Sequence, residues 1–172
     1  MALRPARTIR RLERPYTRVS QKNPRKSYVV GVPFPKIHQF RMGNPNGDFD
    51  VALYLVSKDG VQIRHNALEA ARISSHGFLE KKIGSQNYYM QILKYPFHVI
   101  REKPIATGAG ADRYSQGMRL SFGKPVGTSL QVKPGMKLVM VKTKKEFLDV
   151  AKEALRRFKL KIPARCSIEI AE

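Results

Sequence analysis

Four histidines, one cysteine and thirteen acidic residues are the groups in this chain that could carry acid–base, nucleophilic or metal chemistry. Their spacing does not assemble a site. His38, His65, His76 and His98 form no His-Glu-x-x-His pair, and none lies at metal-ligand spacing from Cys166. His76 reads as helical, and His98, between Phe97 and Val99, as a packing residue rather than a base. A lone cysteine excludes an intramolecular disulfide and a cysteine-rich zinc site, so Cys166 reads as a small buried side chain on a late strand. The acids are too scattered for a paired-carboxylate site. Gly108-Ala-Gly110 lacks the later Gly and Lys-Ser/Thr of a phosphate loop and does not open a helix. No catalytic residue, metal or cofactor is expected.

The chemistry this sequence does offer is positive charge. Lys and Arg number 33 against 13 acids, a net +20 over 172 residues. Self-repulsion of that size is relieved by a polyanion, and each phosphate neutralised also releases counterions. A membrane is the poorer candidate. No apolar run approaches the roughly 18 residues of a spanning helix. The charge is unevenly placed: net +10 over residues 1–41, +1 over 42–100 and +9 over 101–172.

Residues 1–28 form a proline-interrupted basic arm with Arg4, Arg7, Arg10, Arg11, Arg14, Arg18, Lys22, Arg25 and Lys26. Its sparse apolar residues do not offset the cost of ordering, which predicts that it becomes ordered on RNA. Arginine forks grip phosphate oxygens, and Tyr16 and Tyr28 are placed to stack on unpaired bases. A solvated tail without a partner would share this composition, but the density of charge favours an RNA-embedded extension. The start has no apolar stretch of a secretory signal, and Pro5, Pro15 and Pro24 interrupt the amphipathic helix of a mitochondrial transit peptide. A cytoplasmic chain is expected.

Residues 29–172 read as a single α+β domain: a mainly antiparallel sheet with two packed helices. Strands are predicted at Lys36–Met42, Val51–Val56, Tyr88–Leu93, Tyr95–Ile100, Arg119–Phe122, Thr128–Val132, Met136–Val141 and Ser167–Ile170. Helix one is capped by Asn66 with Glu69, carries Leu68, Ala71, Phe78, Leu79 and Ile83, and stops at Gly84. Helix two, capped by Thr143 with Glu146, buries Phe147, Val150, Ala151, Ala154, Leu155 and Phe158. Its other face presents Lys152, Arg156 and Lys159, with Arg157 beside them.

Between the strands runs a glycine-containing loop, expected to be mobile over 102–116, because structureless connections beyond about 12–15 residues are usually functional or disordered. Arg101, Lys103, Arg113, Arg119 and Lys124 give it a cationic lining suited to RNA.

Around this loop the sequence resembles a known family. Tyr95-Pro-Phe-His-Val-Ile-Arg101, Gly110-Ala-Asp-Arg113, Gly117-Met-Arg119 and Phe122-Gly-Lys-Pro-Val-Gly-Thr128 are similar to the ribosomal L-ten-e proteins, the archaeal and eukaryotic branch of the universal L-sixteen family. Arg4-Pro-Ala-Arg7, Glu69-Ala-Ala-Arg72 and Glu153-Ala-Leu-Arg-Arg157 agree with it. The stop at Glu172 and the single cysteine match the archaeal type. The resemblance implies a hammerhead-type fold and a non-catalytic large-subunit protein. It also implies ribosomal RNA, tRNA and neighbouring ribosomal proteins as partners, beside the cleft where aminoacyl-tRNA is accommodated. The loop segment Thr107, Gly108, Ala109, Gly110, Ala111, Asp112 and Arg113 would then lie near tRNA acceptor ends. Two alternatives share the charge. An RNA-modifying enzyme would need a cofactor motif or an acid/base constellation. A non-specific nucleic-acid-compacting protein would have no use for the long loop, and no helix-turn-helix spacing is visible.

Overall fold

Alternating and continuous apolar runs assemble into an α+β fold, seen in a computed structural model that describes residues 4–13, 22–23, 29 and 31–171. In chain order the described elements are β1 (Arg41–Gly43), β2 (Val51–Ser57), β3 (Val61–Arg64), α1 (His65–Ile83), β4 (Tyr88–Ile92) and β5 (His98–Glu102). β6 (Lys124–Val132), β7 (Lys137–Thr143), α2 (Leu148–Leu160) and β8 (Cys166–Ala171) follow. Every pairing is antiparallel, as expected, but the strands divide into two sheets. One has the order β1-β4-β7-β2-β8 and the other β3-β6-β5.

β2 lies between β7 and β8 and turns Val51, Leu53 and Leu55 into the core, while Ala52 and Tyr54 on its other face are half-buried, Tyr54 under Lys137. Leu53 and Leu55 of β2, Val139 and Val141 of β7 and Met90 of β4 are fully buried with Leu68 and Leu79 of α1 and Leu155 and Phe158 of α2. Of the predicted α2 stripe, Ala151, Ala154, Leu155 and Phe158 are buried and Val150 half-buried, while Phe147 lies half-buried in the turn before the helix. α1 stops at Gly84, whose φ of 74° suits glycine and whose N–H returns to the Glu80 carbonyl.

Several boundaries differ from the sequence reading, each for a local reason. Neither helix has a side-chain cap. Glu69 is held in a bidentate pair with Arg72 one turn on (2.6 and 2.9 Å), so it does not reach back to Asn66. Thr143 ends β7, buried, and its hydroxyl donates to the Asn87 carbonyl across the sheet, while a 3-10 turn at Lys145–Phe147 leads into α2. The first strand is only Arg41–Gly43, because the Lys36 amide is spent on His65 Nδ1. Arg119–Phe122 is turn rather than strand, and β6 instead begins at Lys124.

Residues 4–13, part of the arm in the sequence reading, lie along the outer strand β3. The Gln62 N–H donates to the Arg10 carbonyl (2.9 Å) and its side chain to the Ile9 carbonyl (3.1 Å). Arg64 donates to the Arg4 carbonyl (2.8 Å) and Gln131 to that of Glu13 (2.6 Å). What ties this strap down is polar bonding to its backbone, which a search for apolar surface does not register. Arg14, Arg18, Arg25, Lys26, Tyr16 and Tyr28 lie outside the described residues.

The core yields a stability test and a pH test. Phe158 is fully buried, so Phe158→Ala should cost about 3–5 kcal/mol in urea unfolding; a loss within noise would mean that α2 does not close the core. His65 accepts from the Lys36 amide and lies 3.2 Å from the Thr128 hydroxyl. Burial, reinforced by the charges of Lys36 and Arg64, holds its imidazole below the ordinary histidine range. The unfolded chain therefore takes up a proton below about pH 6.5 that the folded one refuses until a lower pH. Stability should fall as pH drops from about 7.5 to about 5.5, a window spanning the ordinary histidine value, and the fall should be smaller in His65→Asn. An equal fall in both proteins would assign the effect to other groups.

Candidate nucleic-acid interface

Most of the basic side chains singled out by the sequence and described in the structure lie on three surfaces: the strap, the excursion between β5 and β6 with its roots, and the outer face of α2. On the strap, a 3-10 turn at Ala6–Thr8 exposes Arg7, and Arg10 and Arg11 follow, exposed. Arg10 and Arg11 line a cleft of about 440 Å³ together with Asp59, Gly60 and Arg165. Arg165 comes from the far end of the chain. It grips Asp59 bidentately at 2.8–3.1 Å, and that guanidinium keeps the Asp59 carboxyl below its usual range. The sequence reading missed Arg165. Its only local signal is that it precedes the final strand, and the cleft exists because β2 pairs with β8.

The excursion spans residues 103–123 and is longer than the expected 102–116. It leaves and rejoins the sheet at one place, since Glu102 and Lys124 are register partners. Gly123 is required there. At φ 78°, a Cβ would meet the Glu102 carbonyl carbon at 2.9 Å. Arg101 stacks on Phe122, 4.2 Å from its centroid. Arg4 pairs with Glu102, joining strap to excursion root. At the tip, Gly108 and Gly110 have φ of 114° and 75°, and a 3-10 turn at Ala111–Arg113 leaves Arg113 exposed. Thr107, Gly108, Ala109, Gly110 and Asp112 are exposed there too, with Ala111 half-buried. Lys103 is half-buried, whereas Arg119 and Lys124 are exposed.

The α2 face is less free than its residue types suggest. Lys152 pairs with Asp149 (3.5 Å), and Glu153 takes both Arg156 (2.9 Å) and Arg157 (3.7 Å). Arg157 also lies on Phe78, 3.9 Å from its centroid. Lys159 is exposed. Such surface pairs contribute roughly 0–1 kcal/mol, so phosphates compete with them readily. Lys22 is exposed as well.

Two of the sites with reactive potential are occupied by the fold. The Cys166 thiol is buried, and burial pushes its pKa up to about 11. His76 Nδ1 lies 2.6 Å from the Tyr88 hydroxyl, and burial pushes that phenol up to about 12. Among the described residues no group of three or more His, Cys, Asp or Glu could hold a metal, and no helix is long and apolar enough to cross a membrane.

An antiparallel core that carries cations on a strap, a helix face and a closed excursion defines a strongly basic α+β protein with its charge held on the surface. The chain belongs to the Ribosomal protein L16p/L10e family, whose pattern matches residues 15–169. It is 48% identical over 170 residues to the large ribosomal subunit protein uL16 of Archaeoglobus fulgidus, covering 99% of this chain and 94% of that one. The proteins of the same name from Sulfolobus acidocaldarius (49%; 99% and 95% covered) and Hyperthermus butylicus (50%; 91% and 83%) are similar to it as well.

If the Arg10–Arg11–Arg165 cleft receives phosphates, log affinity for a large-subunit RNA fragment should fall linearly with log salt. Arg10→Ala with Arg11→Ala should flatten that slope by about 0.7–0.9 for each phosphate no longer neutralised. An unchanged slope would remove the cleft from the interface.

Proposed function

We propose that this chain is a non-catalytic constituent of the large subunit of the cytoplasmic ribosome, anchored on ribosomal RNA among neighbouring ribosomal proteins. Its excursion tip helps position aminoacyl-tRNA near the peptidyl-transferase centre. The observation that carries the division of labour is the closure of the excursion at Glu102 and Lys124. Because the two stems meet there, the tip can extend without disturbing the sheets behind it. The strap and the α2 face offer dense charge on surfaces the core does not need. The tip offers Arg113 alone among residues 107–113, beside Asp112, and its glycines raise the entropy lost on fixing it. That balance suits a ligand that comes and goes. Arg113 is the residue placed to meet its phosphates.

Replacing Thr107–Asp112 by a short linker should leave incorporation into the large subunit near normal while slowing tRNA accommodation or peptide synthesis. Arg113→Ala should give a milder form. Occupancy in purified particles is measured beside translation rate. Loss of incorporation, or unimpaired translation at full occupancy, would show that anchoring and tRNA support are not divided in this way.

A further inference from the structure

The excursion has a feature that tRNA support by its tip does not use. Behind the tip, its two stems enclose an open cavity of about 810 Å³, lined by Ile105, Tyr114, Leu120 and Phe122 with Lys103, Arg119 and Lys124 at the same site. Tyr114 is 75% exposed, Leu120 82% and Phe122 58%, an apolar cluster on a chain of net charge +20. Contiguous exposed apolar surface of this kind marks an interaction site.

The cavity is built into the backbone. Gly123 pinches the stems together against Glu102, so the space beyond is held open by the chain path. Leu120 has φ 55°, the one non-glycine residue with positive φ among those described. A leucine kept in the left-handed region with its side chain in solvent is strain without burial in return, a combination that clusters at ligand sites.

Charge selects the occupant. The cations Lys103, Arg119 and Lys124 face one acid, Glu102, and that acid is paired with Arg4. An apolar floor with the exposed Tyr114 ring, beside a Phe122 ring already stacked by Arg101, and a cationic rim matches a planar base carrying a phosphate. A hydrophobic protein segment would fill the floor and leave the rim unmatched. We propose that this cavity seats an unstacked nucleobase of a single-stranded ribosomal RNA segment, with its phosphates on Lys103, Arg119 and Lys124. Seating at the stems fixes the root of the excursion and leaves the tip at 107–113 free to reach tRNA. The inference rests on the large-subunit reading above.

The test uses particles carrying the full chain, either wild type, Tyr114→Ala with Leu120→Ser, or the linker-shortened tip. Dimethyl sulfate is the probe of RNA bases. At equal occupancy, the cavity variant should raise the reactivity of one or a few ribosomal RNA bases roughly fivefold or more, the scale of losing one stacking partner. The shortened tip should leave those bases protected. A second measurement does not depend on the variant loading normally: a photoreactive side chain introduced at position 114 should crosslink to ribosomal RNA. No base change at full occupancy, or crosslinks solely to protein or to tRNA, would overturn the seat while leaving the large-subunit reading intact. Absence of the wild-type chain from the particles would overturn both.

Discussion

Like charges repel, and a chain with twenty uncompensated positive charges folds only if they are kept apart from the surfaces that must come together. Here the separation begins in the sequence. The nearly neutral stretch 42–100 supplies most of β1, all of β2 to β4 and α1, and part of β5, and so much of both sheets and the longer helix. Later basic segments enter the core through neutral residues: Leu138, Val139 and Val141 of β7, and Ala151, Ala154, Leu155 and Phe158 of α2. Their lysines and arginines are turned outward. The interface is therefore a by-product of the packing rule. Whatever positive charge the core excludes is left on the surface.

Elements dominated by one local pattern are legible in the sequence. β2 is a continuous apolar run, α2 has a clean apolar stripe, and Gly84 ends α1 where a positive φ is needed. The features that sequence patterns misplace are those in which a side chain has a distant or competing partner. Thr143 has the look of a cap but serves Asn87, fifty-six residues away in sequence, and Glu69 is taken by Arg72. The division into two sheets depends on which strands pair, and sequence periodicity does not encode register between distant strands.

The interface is legible in its residue types and less so in its arrangement. Arg10 and Arg11 are evident from charge, but Arg165 joins them only through tertiary contact. Lys152, Arg156 and Arg157 are evident too, while their pairing with Asp149 and Glu153 follows from helix geometry. The excursion is visible in the sequence but looks shorter than it is, because Arg119–Phe122 has strand-like composition while Leu120 adopts a turn conformation.

The strap on β3 also bears on the chain's life before it meets RNA. An unpaired strand edge is a template for another copy, and a basic protein passes through a period without its polyanion. β3 is one of the two outer strands of its sheet, with β5 the other, and the Arg10 carbonyl already occupies the Gln62 amide. In the larger sheet β1 is three residues long and β8 places Glu169 near its end, neither a long flat apolar edge. The strap thus covers a strand-edge amide that another copy could otherwise take, and it does so with a segment dense in charge.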